Sequence, residues 1–520
     1  MVREQITDLK SEKNYMNIYD SLRNSAKMFP NKTAVIEENQ FITYGDLVER
    51  IDILAEWLKA EFGIIKGERV GLLFVNSINF YISFYAVAKI GAIAVMVNTK
   101  MQSEEIAFVL KDTDTHCLLM NTRWFEKIKN IAAEVRINRV LADEEADIFC
   151  EGVHVDFLNS VLKNAPSEER FSPSIKEENL TAVILHTSGT TGKPKGIMVS
   201  HTNMMGTAYG YSETLRVTDK DITVLTVPVF HILGLSCVSN MFFYIGGTIV
   251  VFQRFDTNKV LEAIERYHAT HIHSVPAVYI KIMSEAERDY NLDSLRVAVC
   301  GGALIGDEDK KKFYEMAPKA SFRIAYGLTE TAGSGVLSYR HGDPGREVFN
   351  CKIQILNEDG NVSEYGEGEA LCSGSIVTTK VWGKQDSVGN ILHTGDIIRK
   401  EKDGSIFILD RIKDVINRGG EKLFPSFIEN AIIQYPGIKR AAVFPVRDKL
   451  YGEVPAAVLT TENGEKIDSE KLREFLLIRL GKFELPQYIE IWNEEEIPVT
   501  GNGKVKKKVL REIFEKKLQI

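Results

Sequence analysis

Apolar and amphipathic stretches alternate along most of this chain. Residues 43–61 repeat apolar positions at helical spacing, behind a threonine able to cap the first turn. The most apolar stretch, 70–97, is broken by Asn76, Ser77, Asn79, Ser83 and Lys89. Those breaks predict a strand over 69–75, a helix over 77–90 and a strand over 93–98 instead of a membrane span. Short β-rich runs follow at 182–186, 222–227, 248–252, 272–275 and 295–300, and 259–268 has a helical period. This alternation predicts an α/β fold, with layers built on mostly parallel sheets. The polar stretch 163–179 holds two prolines, three serines and seven charged residues, which predicts an exposed connection. Beyond about residue 410 the segments become shorter and more charged. We therefore expect a large N-terminal α/β domain over 1–410 and a small, mobile α+β C-terminal domain over 411–520. The lysine-rich stretch 504–520 reads as a solvated helix face.

Composition narrows the function. With 44% hydrophobic and 26% charged residues, the 520-residue chain has ample material for a large core and none of the bias of a disordered protein. A formal charge of −8 argues against a nucleic-acid partner. The six cysteines come no closer in sequence than Cys351 and Cys372, so no metal-binding pair is spaced for zinc. Cys237 and Cys300 lie in apolar surroundings and read as core residues. Residues 1–17 carry charges and no apolar core, so no secretory signal is expected. Together with the missing membrane span, this predicts a cytoplasmic protein.

The chemistry concentrates in a few strings. Thr187-Ser188-Gly189-Thr190-Thr191-Gly192-Lys193-Pro194-Lys195-Gly196 follows a predicted strand directly and packs three glycines, four hydroxyls and two lysines into ten residues. Glycines let backbone N–H groups approach an anion, and hydroxyls and ammonium groups add donors and charge. The P-loop pattern fails, because Thr187 holds its first glycine position and Pro194 stands where Ser or Thr should follow the lysine. A polar surface turn is the plainer alternative.

This string resembles the phosphate loop of the adenylate-forming superfamily, which includes acyl-CoA synthetases, firefly-type luciferases and nonribosomal-peptide adenylation domains. Tyr326-Gly327-Leu328-Thr329-Glu330, Gly301-Gly302-Ala303, Thr394-Gly395-Asp396, Asp410-Arg411-Ile412-Lys413-Asp414, Gly419-Gly420-Glu421 and the loop 498–504 ending at Lys504 resemble that family's other landmarks, in its order. The likeness spans nearly the whole chain. It implies that Thr187, Ser188, Gly189, Thr190, Thr191 and Lys195 cradle the phosphates of ATP. Tyr326 would stack on adenine, with Gly302, Ala303 and Gly327 lining the space beside it. Thr329 would donate to the α-phosphate and Glu330 would hold Mg2+. Asp396 and Arg411 would take the ribose hydroxyls. Lys413 would be the hinge, Gly419 and Gly420 would border the channel for coenzyme A, and Lys504 would be the catalytic lysine. Taken singly, the YGLTE string also reads as a strand-end turn, Gly301-Gly302 as a strand-to-loop turn, and Lys504 as a solvated lysine.

The resemblance implies a two-step ligase. A carboxylic acid attacks the α-phosphorus of ATP and expels pyrophosphate; a thiol then displaces AMP. Amino-acid-activating relatives place an aspartate where this chain has His231, in Pro228-Val229-Phe230-His231-Ile232-Leu233-Gly234-Leu235. An α-amino acid is therefore not expected. The pattern is similar to acyl- and aryl-CoA ligases, in which the histidine lines or gates the acyl pocket; a structural histidine is the alternative. No carrier domain follows Lys504, so free coenzyme A is the expected thiol and a separate acyl carrier protein the alternative. A nucleotide-binding relative without catalysis is the third reading. Three departures stand out. Phe427 replaces a glutamate in Pro425-Ser426-Phe427-Ile428-Glu429, the stretch between Gly374 and Thr394 is shortened, and 345–353 matches loosely.

Replacing Lys504 by alanine is expected to slow acyl-adenylate formation about a hundredfold or more, as when a donor to the transition-state charge is lost. Thioester formation from supplied acyl-adenylate should be spared. Separate assays of the two half-reactions check this; equal losses in both would remove the assignment.

Overall fold

The computed structural model describes residues 17–163, 172–175, 177, 179–187, 194–303, 305–338, 344–384, 391–461, 467–499 and 505–518. The chain divides into two compact units. One comprises 1–352 with 372–392, and the other 353–371 with 393–520.

Local sequence signals decide the elements of the first unit. Helix Tyr44–Ala60 starts where Thr43 accepts a hydrogen bond from the Asp46 N–H. Ser77 caps helix Ile78–Ile90 in the same way through the Phe80 N–H. That second helix is buried almost throughout, and strands Arg69–Leu73 and Ile93–Met96 flank it. Its one ammonium, on Lys89, is 3% exposed and meets Asp52 at 2.8 Å, while the Tyr19 hydroxyl donates to the same carboxylate oxygen at 2.5 Å. A buried charge needs such partners to be tolerated. Among the described residues no helix is long and apolar enough to cross a membrane.

A seven-stranded sheet, counted among the described residues, runs in the order His154–Phe157, Arg139–Ala142, Cys117–Met120, Arg69–Leu73, Ile93–Met96, Thr181–Thr187, Lys195–Ser200. It is parallel except for the last pair, which forms an antiparallel hairpin. A second sheet has a parallel centre. Ser321–Tyr326 lies beside Val297–Gly301, then His271–Ser274, Ile222–Leu225, Thr248–Val251 and Thr33–Glu37. Its flanks are antiparallel, formed by Val336–Ser338 at one side and Gln40–Thr43 at the other. Parallel strands buried on both faces read as unbroken apolar runs, which is why these strands are visible in the sequence. Cys237 and Cys300 are buried in this unit, and burial pushes both thiols up to about 12. They are core residues, as expected from their neighbours.

Among the described residues, strands in 353–411 of the second unit pair antiparallel. Lys352–Leu356 pairs with Val362–Ser363, and Leu392–Lys400 with Ile406–Arg411. The expectation of mostly parallel sheets does not extend to this stretch. Farther on, Ile438–Asp448 and Gly452–Thr461 form a long antiparallel pair. The strand period of two sends Ala441, Val443, Ala457 and Leu459 to one face and Ala442, Phe444, Val446, Ala456 and Val458 to the other. Helices Pro425–Ile433 and Ser469–Leu477 cover the first face with Ile428, Ile432, Leu472 and Leu476. Helix Lys507–Leu518 covers the second with Leu510 and Phe514. The lysine-rich end is therefore amphipathic, and only its outer face is solvated.

Three histidines in the first unit are buried. Desolvation lowers His201 and His273 to about 3 and lowers His271 as well, against the pull of Asp221. Each remains neutral in the folded protein while the unfolded chain takes up protons near pH 6.5. Their contribution is complete above that pH and declines as the pH falls. Stability should drop between pH 7 and 5.5 with a slope approaching about 1.4 kcal/mol per pH unit for each histidine at the acid end. Urea midpoints across that window test this, and a flat profile would contradict neutral burial.

Candidate active site

The glycine-threonine string spans a hairpin tip. Strands Thr181–Thr187 and Lys195–Ser200 pair so that Thr187 faces Lys195 and His186 faces Gly196. Thr187 and Lys195 thus mark the base of the loop, both half-buried. Ser188, Gly189, Thr190 and Thr191 lie outside the described residues. The hairpin is braced from below. His186 meets Asp112 at 3.0 Å, and the Trp382 indole N–H donates to the Asp112 carbonyl at 2.7 Å. Trp382 fits because its neighbour is glycine: a Cβ at Gly196 would stand 3.2 Å from the Trp382 Cβ. The shortened stretch between Gly374 and Thr394 therefore still supplies a tryptophan, packed at Gly196 of the hairpin.

Three further segments leave carboxyl ends of the second sheet. In open parallel sheets, ligands bind at those ends. Gly301 pairs with Ala325, so Gly302-Ala303 and Tyr326-Gly327 emerge side by side. Gly302 has φ +82°, a left-handed conformation open to glycine, and a Cβ there would touch Val275 at 3.5 Å. Gly327 is required by crowding, since its Cβ would collide with the Gly333 carbonyl and the Ser334 Cα. The turn from 328 to 333 is fixed by Thr331. Its hydroxyl accepts from the Leu328 N–H at 2.9 Å and donates to the Gly333 carbonyl at 2.7 Å. The Glu330 carbonyl accepts from the Thr378 N–H at 2.8 Å. Thr329 and Glu330 are thus held in a short 3-10 turn, Thr329–Thr331, with partly exposed side chains.

The third segment carries His231. Asn76, at the end of strand Arg69–Leu73, grips it with both amide atoms: Nδ2 donates to the Val227 carbonyl at 3.0 Å, and Oδ1 accepts from the Val229 N–H at 2.8 Å. A side chain at Gly234 would stand 2.5 Å from the Pro228 carbonyl, which explains the glycine. The chain then enters a π-helix, Leu233–Asn240, a form that is rare and frequent at functional sites. The His231 ring packs on Phe230 with centroids 4.7 Å apart. Leu233 reaches within 3.9 Å of where a Gly301 Cβ would be. Leu233 and Val275 thus lie beside the Gly301-Gly302 pair, with His231 two residues before Leu233.

The second unit holds the remaining landmarks. Asp396 and Arg411 are paired residues of one antiparallel ladder, and Arg411 Nε meets Asp396 Oδ1 at 2.9 Å. Asp396 is 3% exposed. The bend before it uses Gly395 at φ +70°, whose N–H donates to Glu369 at 2.9 Å. Lys413 is exposed in the 3-10 turn Ile412–Asp414. Asp410 accepts from the Ser426 N–H at 2.7 Å and so caps helix Pro425–Ile433. Gly419 and Gly420 are the two central residues of a hairpin in which Arg418 pairs with Glu421. Their φ values, +60° and +95°, are those of a type I′ turn, so the turn alone calls for both glycines. The space beside Gly420 is open.

Lys504 lies outside the described residues. Val499 and Val505 on either side of its loop form an isolated bridge, and the Lys506 N–H donates to the Pro498 carbonyl at 2.7 Å. Lys507 meets Glu429 at 2.7 Å, and the same carboxylate accepts from the Val443 N–H at 2.7 Å. Burial raises Glu429 against the pull of Lys507. Burial also disfavours the Lys507 charge, but Glu429, Asp410 and Asp414 outweigh it and raise its pKa. Phe427 is half-exposed, so the departure at 427 leaves this pair intact. Sequence reasoning missed Asn76, Asp112, His186, Thr331 and Asp410. The polar break at Asn76, directly after a predicted strand, was the one usable signal.

Among the described residues no three His, Cys, Asp or Glu side chains cluster as a metal cage. A magnesium ion on Glu330 would take its other oxygens from phosphate and water, as that ion commonly does. The family model described as AMP-binding enzyme matches residues 22–382, and that described as AMP-binding enzyme C-terminal domain matches 428–504. The chain is 30% identical over 514 residues to a long-chain-fatty-acid–CoA ligase of Mycobacterium tuberculosis, covering 96% of this chain and 98% of that protein. It is 30% identical over 502 residues to a feruloyl-CoA synthase of an Amycolatopsis species, covering 94% and 97%. Its structure is similar to that of o-succinylbenzoate CoA synthetase from Bacillus subtilis in complex with its acyl-adenylate. The TM-score is 0.80 at 26% identity, with 94% and 97% of the two chains covered.

Replacing Asn76 by alanine removes two buried hydrogen bonds, together worth about 2 kcal/mol. The KM for the acid should rise about tenfold or more while the KM for ATP stays near its wild-type value. Equal changes in both constants would separate Asn76 from the His231 segment.

Proposed function

The chain belongs to the AMP-binding enzyme family, and on that premise we propose that it is an ATP- and magnesium-dependent ligase joining a carboxylic acid to coenzyme A. The main support is convergence. The His231 segment, Gly301-Gly302-Ala303 and Tyr326–Glu330 all leave carboxyl ends of one parallel sheet.

In this reading Thr187, Lys195 and the loop between them bind the phosphates. Tyr326 stacks on adenine beside Gly302, Ala303 and Gly327. A glycine at 302 fits a flat ring, because a side chain there would enter that space. Asp396 accepts from the ribose hydroxyls, and the ion pair with Arg411 holds its buried carboxylate in position. Glu330 holds magnesium, which when bound neutralises charge on the phosphates. Thr329 and Lys504 orient the α-phosphate. The acid's carboxylate oxygen attacks the α-phosphorus, a new P–O bond forms, and pyrophosphate leaves. The coenzyme A sulfur then attacks the acyl carbonyl. The carbonyl-to-phosphate C–O bond breaks, AMP departs, and the thiol proton passes to solvent. Gly419 and Gly420 border the thiol's approach, with Lys413 as the hinge at the start of the C-terminal domain, 411–520.

The acid is a fatty, aryl or other non-amino acid. His231 stands where an aspartate would pair with an amino group, and the apolar side chains of Leu233 and Val275 lie beside the Gly301-Gly302 pair. We assign the protein to the cytoplasm, consistent with its six free cysteines.

A panel of short, medium, long and aryl acids, each with and without coenzyme A, tests the reading by pyrophosphate release and thioester formation. Acid-dependent release followed by a coenzyme A thioester is expected. Thioester on a purified acyl carrier protein alone would replace coenzyme A as the acceptor. No release with any acid would overturn the ligase assignment.

A further inference from the structure

A cavity of about 340 Å³ opens at the other end of the same sheet, among Thr214, Arg216, Arg296, Ser321 and Arg323. Arg296 and Ser321 stand at the amino ends of strands Val297–Gly301 and Ser321–Tyr326, whose carboxyl ends carry Gly302 and Tyr326. Strands of five and six residues put roughly 15–20 Å between the two ends.

The walls suit an anion. Arg296 is held rigidly: Nη1 donates to the Leu215 carbonyl at 3.1 Å, and Nη2 to the Arg216 carbonyl at 3.1 Å and to Asp221 at 3.0 Å. Those carbonyls end helix His201–Leu215 and would otherwise repel an anion. Asp221 is buried and also accepts from the Thr218 N–H and the Thr270 hydroxyl. It therefore answers Arg296 without facing the cavity as a free charge. Arg323 is anchored through Nη1 to the Ser338 carbonyl at 3.0 Å. Arg216 is exposed, and its guanidinium has no ion-pair or hydrogen-bond partner among the described residues. Three guanidinium groups and the Ser321 hydroxyl thus border a space at the small end of ligand-pocket sizes. Guanidinium forks match the oxygens of phosphate.

We propose that this cavity binds a small phosphate-type oxyanion, free or as the phosphate of a small ester, at the sheet end opposite the candidate active site. Hydrogen–deuterium exchange on the full-length protein locates binding independently of catalysis. Inorganic pyrophosphate and ribose 5-phosphate are titrated separately, against wild type, R216Q and S321A. Protection of the amides of 214–216 and 321–323 is expected. It should need about tenfold more ligand in R216Q, with unliganded exchange and basal activity unchanged. Protection by pyrophosphate alone assigns a free anion, and protection by ribose 5-phosphate assigns an ester. No protection by either ligand, or the same titration midpoint in wild type and in both variants, overturns the proposal.

Discussion

The candidate site depends on two backbones meeting without side chains between them. Gly327 leaves strand Ser321–Tyr326 so close to Gly333 and Ser334 that no Cβ fits. That contact closes the turn that carries Thr329 and Glu330, and Thr331 fixes the turn by bonding at both sides of it. The same turn rests on the rest of the unit. The Thr207 hydroxyl donates to the Ala332 carbonyl at 3.2 Å, and a Cβ at Gly333 would strike Cys237 of the π-helix. Helix His201–Leu215 follows directly from the glycine-threonine hairpin, and the π-helix follows from His231. One tight turn therefore ties the glycine-threonine hairpin, the Gly302 and Tyr326 strand ends and the His231 segment into a common framework.

The second unit solves a different problem with strand pairing. Asp396 is nearly inaccessible, and a buried carboxylate without a partner is costly. The ladder sets Arg411 directly opposite it, although the two are fifteen residues apart in sequence. Glu429 and Lys507 repeat the principle on the C-terminal part, where the pair ties helix Pro425–Ile433 to the start of helix Lys507–Leu518. Both pairs hold charged groups in place near segments to which the functional reading gives moving parts.

Local signals carried much of the architecture. The apolar run broken at Asn76–Ser77 became a strand and a capped helix because the breaks fall at the cap. The parallel strands were visible because burial on both faces demands unbroken apolar residues. The phosphate string, the YGLTE turn, the Asp396 bend and the glycine hairpin were legible because each needs unusual residues within a few positions. Their side-by-side arrangement was not, because register between strands distant in sequence leaves no local mark. Asn76 looked like a helix boundary until the fold brought it to Val227 and Val229. Gly419-Gly420 looked like a channel, and the structure adds a turn that needs both residues whatever passes beside them. Sequence by itself determined the element types, the motifs and the family, since these rest on chemistry along the chain. Only the tertiary structure decided which motifs share a sheet end, which charges neutralise one another and where the arginine cavity opens, because those depend on through-space contacts between residues far apart in sequence.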